Sequence, residues 1–209
     1  PVDFGHSSPI GWGDRVFLTG AVRRSPKDPN EKAEFQQHRV ACFRVKDGVK
    51  LWQTEVEPGS WDTQFSFTTP TPVSDGRRIF AYFGSAALVA LDMEGKLLWR
   101  KTLPGPFKAE WLCSSPLLYQ DTLFVFCDVS NDHWLLALDA KTGDGKWDRP
   151  RKQHEKAHNS SPLLVIVKGL SLSYGARVLF DNSSFTIGPT DRIGLVDAPT
   201  ERQDDPRAH

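Results

Sequence analysis

Two histidines four positions apart form the first pattern in the sequence that could do chemistry. His154 and His158 enclose Glu155 in the pattern H-E-x-x-H. On a helix this spacing puts both imidazoles on one face, where they can bind zinc while the glutamate activates water. The flanking segments 150–153 and 159–162 are polar and turn-like, so we predict a loop here and no zinc site.

The cysteines and the turn carboxylates are the other candidates. The spacing of Cys42, Cys113 and Cys127 matches no metal site. Cys113 and Cys127 could face each other across one hairpin, which leaves a disulfide as one alternative. Buried thiols that behave as small apolar side chains are the favoured one. Three aspartates fall in predicted turns and are interpreted as turn formers: Asp75, Asp121 and Asp132.

Charge and hydropathy argue against several classes of partner. The chain carries 26 Lys and Arg against 26 Asp and Glu with no basic cluster, which gives no electrostatic case for nucleic acid. No apolar run approaches the length of a membrane span. No signal peptide is visible, and because the chain begins at Pro1 we expect a fragment whose true start lies upstream.

Three tryptophans reveal an internal repeat. Trp52, Trp99 and Trp147 are 47 and 48 residues apart. Each follows a glycine by four positions, and an apolar run precedes each glycine; the glycines are Gly48, Gly95 and Gly143. A repeat of this length indicates stacked units that share one continuous core.

A second marker, Ser/Thr-Pro, precedes each unit. It begins at Ser8, Thr71, Ser115 and Ser161, with spacings of 63, 44 and 46 residues. The long first interval contains a charged, proline-containing stretch at about 23–37, which we interpret as an exposed loop inserted into the first unit.

Each unit contains four short apolar runs bounded by Asp, Asn and Gly, which are strand and turn signals. Four strands in about 45 residues are typical of a β-propeller blade. In the third unit we predict strands near 115–119, 123–127, 134–138 and 146–148.

The segment before the third tryptophan carries a specific family resemblance. Residues 137–147 read ALDAKTGDGKW. They match the motif A-x-D-x-x-T-G-x-x-x-W, which is the tryptophan-docking motif of quinoprotein-type propellers. These propellers are built from pyrroloquinoline-quinone-like repeats. Residues 90–99 are one position short of it, and in residues 42–52 only the Gly and Trp remain. The chain therefore resembles this repeat family over about residues 1–165.

The resemblance implies structural roles for the motif. The glycine permits a tight turn, the aspartate hydrogen-bonds that turn, and the tryptophan lies flat between neighbouring blades. Burying such a ring removes on the order of 150–250 Å² from water. We assign these residues to the fold: Trp52, Trp99, Trp147, Gly48, Gly95, Gly143, Asp92 and Asp139. We assign no catalytic, cofactor-binding or metal residue.

Two functions follow from the resemblance. Quinone-dependent dehydrogenases of this type hold a quinone and calcium at the centre of a closed ring, but their vicinal cysteine pair is absent here. We therefore expect no cofactor and a non-catalytic interaction or scaffold segment from a bacterial protein, periplasmic or cell-surface when intact. The alternative is a fragment of a quinone-dependent oxidoreductase.

Residues 168–196 resemble the beginning of an ATP-binding-cassette ATPase, in which the Tyr at the position of Tyr174 stacks on adenine. The strand ending at Val196 should lead into a glycine-rich phosphate loop with a lysine. Residues 197–203 read DAPTERQ and contain neither. A truncated ATPase is therefore only a second alternative.

These patterns predict an all-β chain in three parts. Residues 1–165 form a partial propeller of about three four-stranded blades, residues 166–196 a short strand-rich appendix, and residues 197–209 a disordered tail. The change of pattern near 165–168 suggests a fusion of unrelated genes. Three blades do not close a ring, so the open blade faces and unpaired edges could bind a protein partner or lead to self-association.

Overall fold

The computed structural model describes residues 5–23, 35–59, 68–103, 114–129, 132–150, 161–163, 165–174 and 177–187. The chain divides into two compact units, Pro1–Pro162 and Leu163–His209. Several sequence predictions lie outside the described residues: the H-E-x-x-H segment, Cys113, residues 188–196 and the tail 197–209.

The first unit contains three four-stranded antiparallel sheets in which consecutive strands are neighbours. They are three blades of a partial β-propeller, so the predicted all-β fold class is confirmed. Blade 1 contains β1 (Ile10–Trp12), β2 (Arg15–Arg23), β3 (Phe35–Arg44) and β4 (Lys50–Val56). Blade 2 contains β5 (Val73–Ser74), β6 (Arg78–Tyr82), β7 (Ala87–Asp92) and β8 (Leu97–Thr102). Blade 3 contains β9 (Leu117–Tyr119), β10 (Thr122–Val129), β11 (Asp132–Asp139) and β12 (Gly145–Pro150).

The loop expected at about 23–37 is shorter than the sequence suggested. Strand β2 continues to Arg23 and β3 begins at Phe35, and these two residues are paired across the ladder. Pairing of the two strands satisfies the backbone N–H and C=O groups whatever the polarity of the side chains. A polar stretch can therefore extend a hairpin. The beginning of the insertion therefore coincides with the predicted one at Arg23, whereas its end lies about two residues before the predicted position.

One row of side chains recurs across each blade at the same register. In blade 1 it joins Phe17 to Cys42 and Trp52, one residue from each of three adjacent strands. The Phe and Trp rings of each row are in tilted contact, with centroids 5.9, 6.0 and 5.8 Å apart in blades 1, 2 and 3. The first strand of each blade contributes a fourth residue to its row. The three complete rows are Ile10–Phe17–Cys42–Trp52, Val73–Phe80–Ala90–Trp99 and Leu117–Phe124–Ala137–Trp147.

These rows form the core between blades. The row of blade 1 packs in one buried cluster with Ile79, Ala81 and Leu91 of blade 2. The row of blade 2 packs in a second cluster with side chains of blade 3: Leu123, Val125 and Leu138. Blade 2 is thus covered on both faces, which is why the described part of its inner strands β6 and β7 is almost entirely buried.

The second unit contains one antiparallel hairpin. Its strands are β13 (Val165–Tyr174) and β14 (Arg177–Ile187), and their pairing shifts register at three places. The hairpin overlaps most of the ATPase-like segment. In the part of the chain that the structure describes, no helix has the length and apolar character needed to cross a membrane.

Candidate interaction face

Trp52 of blade 1 docks on a glycine turn of blade 2. Gly95 in that turn has a φ of 84°, and a Cβ placed on it would lie 2.6 Å from Cδ2 of Trp52. The indole Nε1–H donates to the carbonyl of Met93 at 2.9 Å, and the hydroxyl of Thr54 donates to the carbonyl of Gly95. Both the fold of this turn and the approach of the ring require glycine.

Trp99 repeats this arrangement between blades 2 and 3. A Cβ on Gly143 would lie 2.9 Å from Cε3 of the ring. Nε1 of Trp99 donates to the carbonyl of Ala140 at 3.1 Å, and Nζ of Lys101 donates to the carbonyl of Gly143 at 3.0 Å. In both contacts the side chain two residues after the tryptophan donates to the carbonyl of the glycine. The donor is a hydroxyl in one contact and an ammonium group in the other.

The motif aspartates build the turns on which the rings dock. Oδ1 of Asp92 accepts hydrogen bonds from the backbone of Glu94 and Lys96. Oδ1 of Asp139 accepts them from Lys141 and Thr142. The hydrogen bond from the Lys141 backbone is the main reason why the pKa of Asp139 is lowered.

Blade 1 forms the same kind of turn without the motif aspartate. Arg44 stands at that position, and Asp47 replaces its function. Oδ1 of Asp47 accepts from the Val49 backbone at 3.2 Å and from Nε of Arg44 at 3.1 Å. Gly48 again has a left-handed φ, of 68°. A motif that looked degraded in sequence thus retains its turn, because a carboxylate at another position supplies the acceptor.

The third tryptophan does not share the environment of the first two. Trp147 is 41% exposed. Phe124 beside it is only half-buried, whereas the matching Phe17 and Phe80 are fully buried. The guanidinium of Arg149 lies 5.9 Å from the Trp147 ring centroid. We call Leu117, Phe124, Trp147 and Arg149 the end face of blade 3.

Blade 1 has a cleft and an open glycine turn at its surface. On the face away from blade 2, a cleft of about 620 Å³ is lined by residues that include Leu18, Arg39, Ala41 and Lys50. The Gly48 turn of this blade is open, because no described atom outside its chain neighbours lies within 4 Å of a Cβ placed there. Blade 1 therefore carries a docking turn on which no tryptophan of the described residues lies.

A buried His–Ser pair joins blades 1 and 2. Nε2 of His38 lies 2.7 Å from Oγ of Ser85, and the imidazole stacks on Phe83 with centroids 4.5 Å apart. Burial, with a smaller effect of Arg100, lowers the pKa of His38 to about 4, so the ring is neutral. Both residues are 0% exposed. A nucleophile and base sealed from substrate stabilise the blade interface, and sequence reasoning did not find them.

Several carboxylates of the described residues hydrogen-bond turns or pair with arginine. Among these residues no three His, Cys, Asp or Glu side chains come together in a group that could hold an ion. Asp75 instead pairs with Arg78 within blade 2 at 2.6 Å, and Asp121 of blade 3 pairs with the same guanidinium at 3.1 Å. The described part therefore contains no group of three such side chains to hold the calcium of a quinone site. Cys42 and Cys127 are buried.

Comparison with known proteins agrees with this architecture. A family model described as outer membrane protein assembly factor BamB matches residues 36–188. No curated protein sequence matches the chain.

Solved structures that are similar to part of this chain include two dehydrogenases and one BamB. A europium-containing methanol dehydrogenase has 17% identity and a TM-score of 0.52, over 73% of this chain and 27% of that one. The quinohemoprotein alcohol dehydrogenase from Comamonas testosteroni has 14% identity and a TM-score of 0.49, over 71% and 21%. BamB from Moraxella catarrhalis has 17% identity and a TM-score of 0.43, over 59% and 35%. The match thus covers at most about a third of each of these chains.

Proposed function

Because this chain belongs to the family described as outer membrane protein assembly factor BamB, we propose that its blades are a non-catalytic, protein-binding segment of a bacterial cell-envelope protein. The end face of blade 3 carries this proposal. It combines an exposed indole with half-buried apolar side chains and a guanidinium. Trp and Arg are among the residue types enriched in the few interface positions that contribute most to binding.

The repeat itself supports this assignment of the end face. In blades 1 and 2 the same row of side chains binds the neighbouring blade through apolar packing and hydrogen bonds. An element that makes two such contacts inside the molecule has the shape and donors to make a third with a protein partner. Exposed apolar patches bordered by polar groups commonly mark interaction sites.

The alternative, a fragment of a quinone-dependent oxidoreductase, has less support. The solved dehydrogenases share the fold at identities that carry no information on activity. The described residues do not assemble a calcium-binding group. The buried His38–Ser85 pair, the nearest approach to a catalytic dyad here, has no exposed surface.

Photo-crosslinking at the end face tests the proposal. We would place a benzophenone amino acid at position 147 and, as a matched control, at position 98, because Leu98 is exposed to a similar degree, 45%, on another blade. Each chain is irradiated with a bacterial cell-envelope fraction. We expect adducts of discrete mass from position 147 and not from position 98. Equal or absent adducts at both positions would contradict the proposal.

A titration separates the two functional classes. The chain is titrated with pyrroloquinoline quinone and Ca²⁺ in a calorimeter, and a binding module should give no saturable heat. Tight stoichiometric uptake would overturn the non-catalytic assignment in favour of the oxidoreductase fragment.

A further inference from the structure

We propose that Trp147 on the end face docks onto the Gly48 turn of a second copy of this chain, forming a head-to-tail assembly. This inference rests on the proposed function and names one partner for the same face. The Gly48 turn comprises Arg44 to Gly48, between β3 and β4.

The two contacts inside the molecule define what such a turn must provide. Each docking turn offers a glycine with a φ near 80°, against which the indole lies. It also offers two carbonyls, one on the glycine and one two or three residues before it. The tryptophan ring lies against the glycine. The indole Nε1–H and the side chain two residues later on the same strand donate to the two carbonyls.

Both halves of a third contact are present and unpaired with each other. Trp147 has the position of Trp52 and Trp99 in its row but is exposed. Gly48 has the position of Gly95 and Gly143 in its turn and a similar φ, but the space over it is open. Among the described residues, Trp147 and the Gly48 turn are therefore complementary by the pattern that the chain uses twice within itself.

The polar groups are also complementary. The second donor of each internal contact stands two residues after the tryptophan, at Thr54 and Lys101. The equivalent residue of blade 3 is Arg149, which is exposed. Its guanidinium can donate to the Gly48 carbonyl and approach the carboxylate of Asp47, which is 42% exposed.

The contact is confined to the β12 edge of blade 3. At the β9 edge, the hydroxyl of Ser161 already accepts a hydrogen bond from the Ser115 backbone at 2.9 Å. A partner turn needs only the surface around Trp147 and Arg149. Because the two patches differ, the contact is heterologous, and copies can add one to the next.

Sedimentation velocity of the full chain over a range of concentrations tests the proposal. We expect reversible self-association of the wild-type chain. Trp147→Ala removes the ring, and Gly48→Asn keeps a residue that tolerates a left-handed φ while placing a side chain where the ring would lie. Each variant should weaken association about tenfold or more, because a central tryptophan dominates interface affinity.

Matched controls exclude general surface effects. Gly13→Asn changes a second glycine of left-handed φ with open space over it, and Leu98→Ala removes an exposed apolar side chain elsewhere. Both should associate like the wild type. Circular dichroism verifies that every variant is folded.

Mixing the two interface variants gives the sharpest readout. Trp147→Ala retains a functional turn and Gly48→Asn retains a functional ring, so together they should form a one-to-one complex that neither forms alone. A wild-type chain that stays monomeric, or a mixture that fails to associate, would overturn the self-docking proposal. Adducts between position 147 and a different protein would then still support the proposed function. Absence of both self-association and such adducts would overturn both proposals.

Discussion

The backbone N–H of Thr71 donates a hydrogen bond of 2.9 Å to Oγ of Ser115, the residue at the same position of the next Ser/Thr-Pro marker. The same bond joins Ser8 to Thr71 at 3.2 Å and Ser115 to Ser161 at 2.9 Å. The four markers therefore form a ladder of three hydrogen bonds, in which each hydroxyl after that of Ser8 accepts from the preceding marker. This explains why a hydroxyl residue recurs before the proline.

Removal of one hydrogen bond of the ladder should lower the free energy of unfolding by an amount that depends on how buried that bond is. Ser115→Ala leaves the partly buried Thr71 N–H without its acceptor, and we expect the free energy of unfolding to fall by about 1–2 kcal/mol. Ser161→Ala is the control, because the N–H that it releases is exposed and can bind water. Its cost should stay below about 0.5 kcal/mol in urea unfolding followed by tryptophan fluorescence. Equal costs would show that burial does not decide the strength of the ladder.

The glycines of the docking turns should differ in their tolerance of a side chain. Gly95→Ala introduces both a strained φ and a clash with Trp52, so we expect a loss of about 3 kcal/mol. Gly48→Ala has the strained φ alone and should lose about 1 kcal/mol. Chemical denaturation of the two variants measures the difference, which reports the cost of the clash with the docked ring. If both losses were the same, the ring would not be held against Gly95 in solution.

Acid should weaken the interface between blades 1 and 2 through His38. Its pKa is about 4 in the folded chain against 6.5 when unperturbed, so the unfolded chain binds a proton first as the pH falls. The contribution of His38 to stability is present above pH 6.5 and is lost progressively between pH 6.5 and about 4. The loss should approach about 3 kcal/mol, since each pKa unit corresponds to about 1.4 kcal/mol.

His38→Gln serves as the control, since glutamine can hydrogen-bond Ser85 but does not titrate in this range. Urea unfolding of both proteins at a series of pH values from 7 to 4 provides the measurement. The wild-type curve should lose much more stability than the variant curve. Parallel curves would mean that His38 is accessible to protons in the folded state.

Much of the architecture could be predicted because it is periodic. The spacing of Trp52, Trp99 and Trp147 located the blades, since every blade needs the same contact with its neighbour. The phenylalanine of each row was overlooked, although it follows each marker by nine residues, at positions 17, 80 and 124. Its periodicity is as clear as that of the tryptophan, and including it would have predicted the buried rows.

The sequence alone established which residues could fill each repeated position, because local turn chemistry and strand alternation depend on neighbours in the chain. Only the tertiary structure decided how those positions differ. His38 and Ser85 are 47 residues apart and belong to no shared motif, yet packing of two blades brings them within a hydrogen bond. Likewise, three equivalent tryptophans acquire different exposures, because burial depends on whether another blade covers the ring.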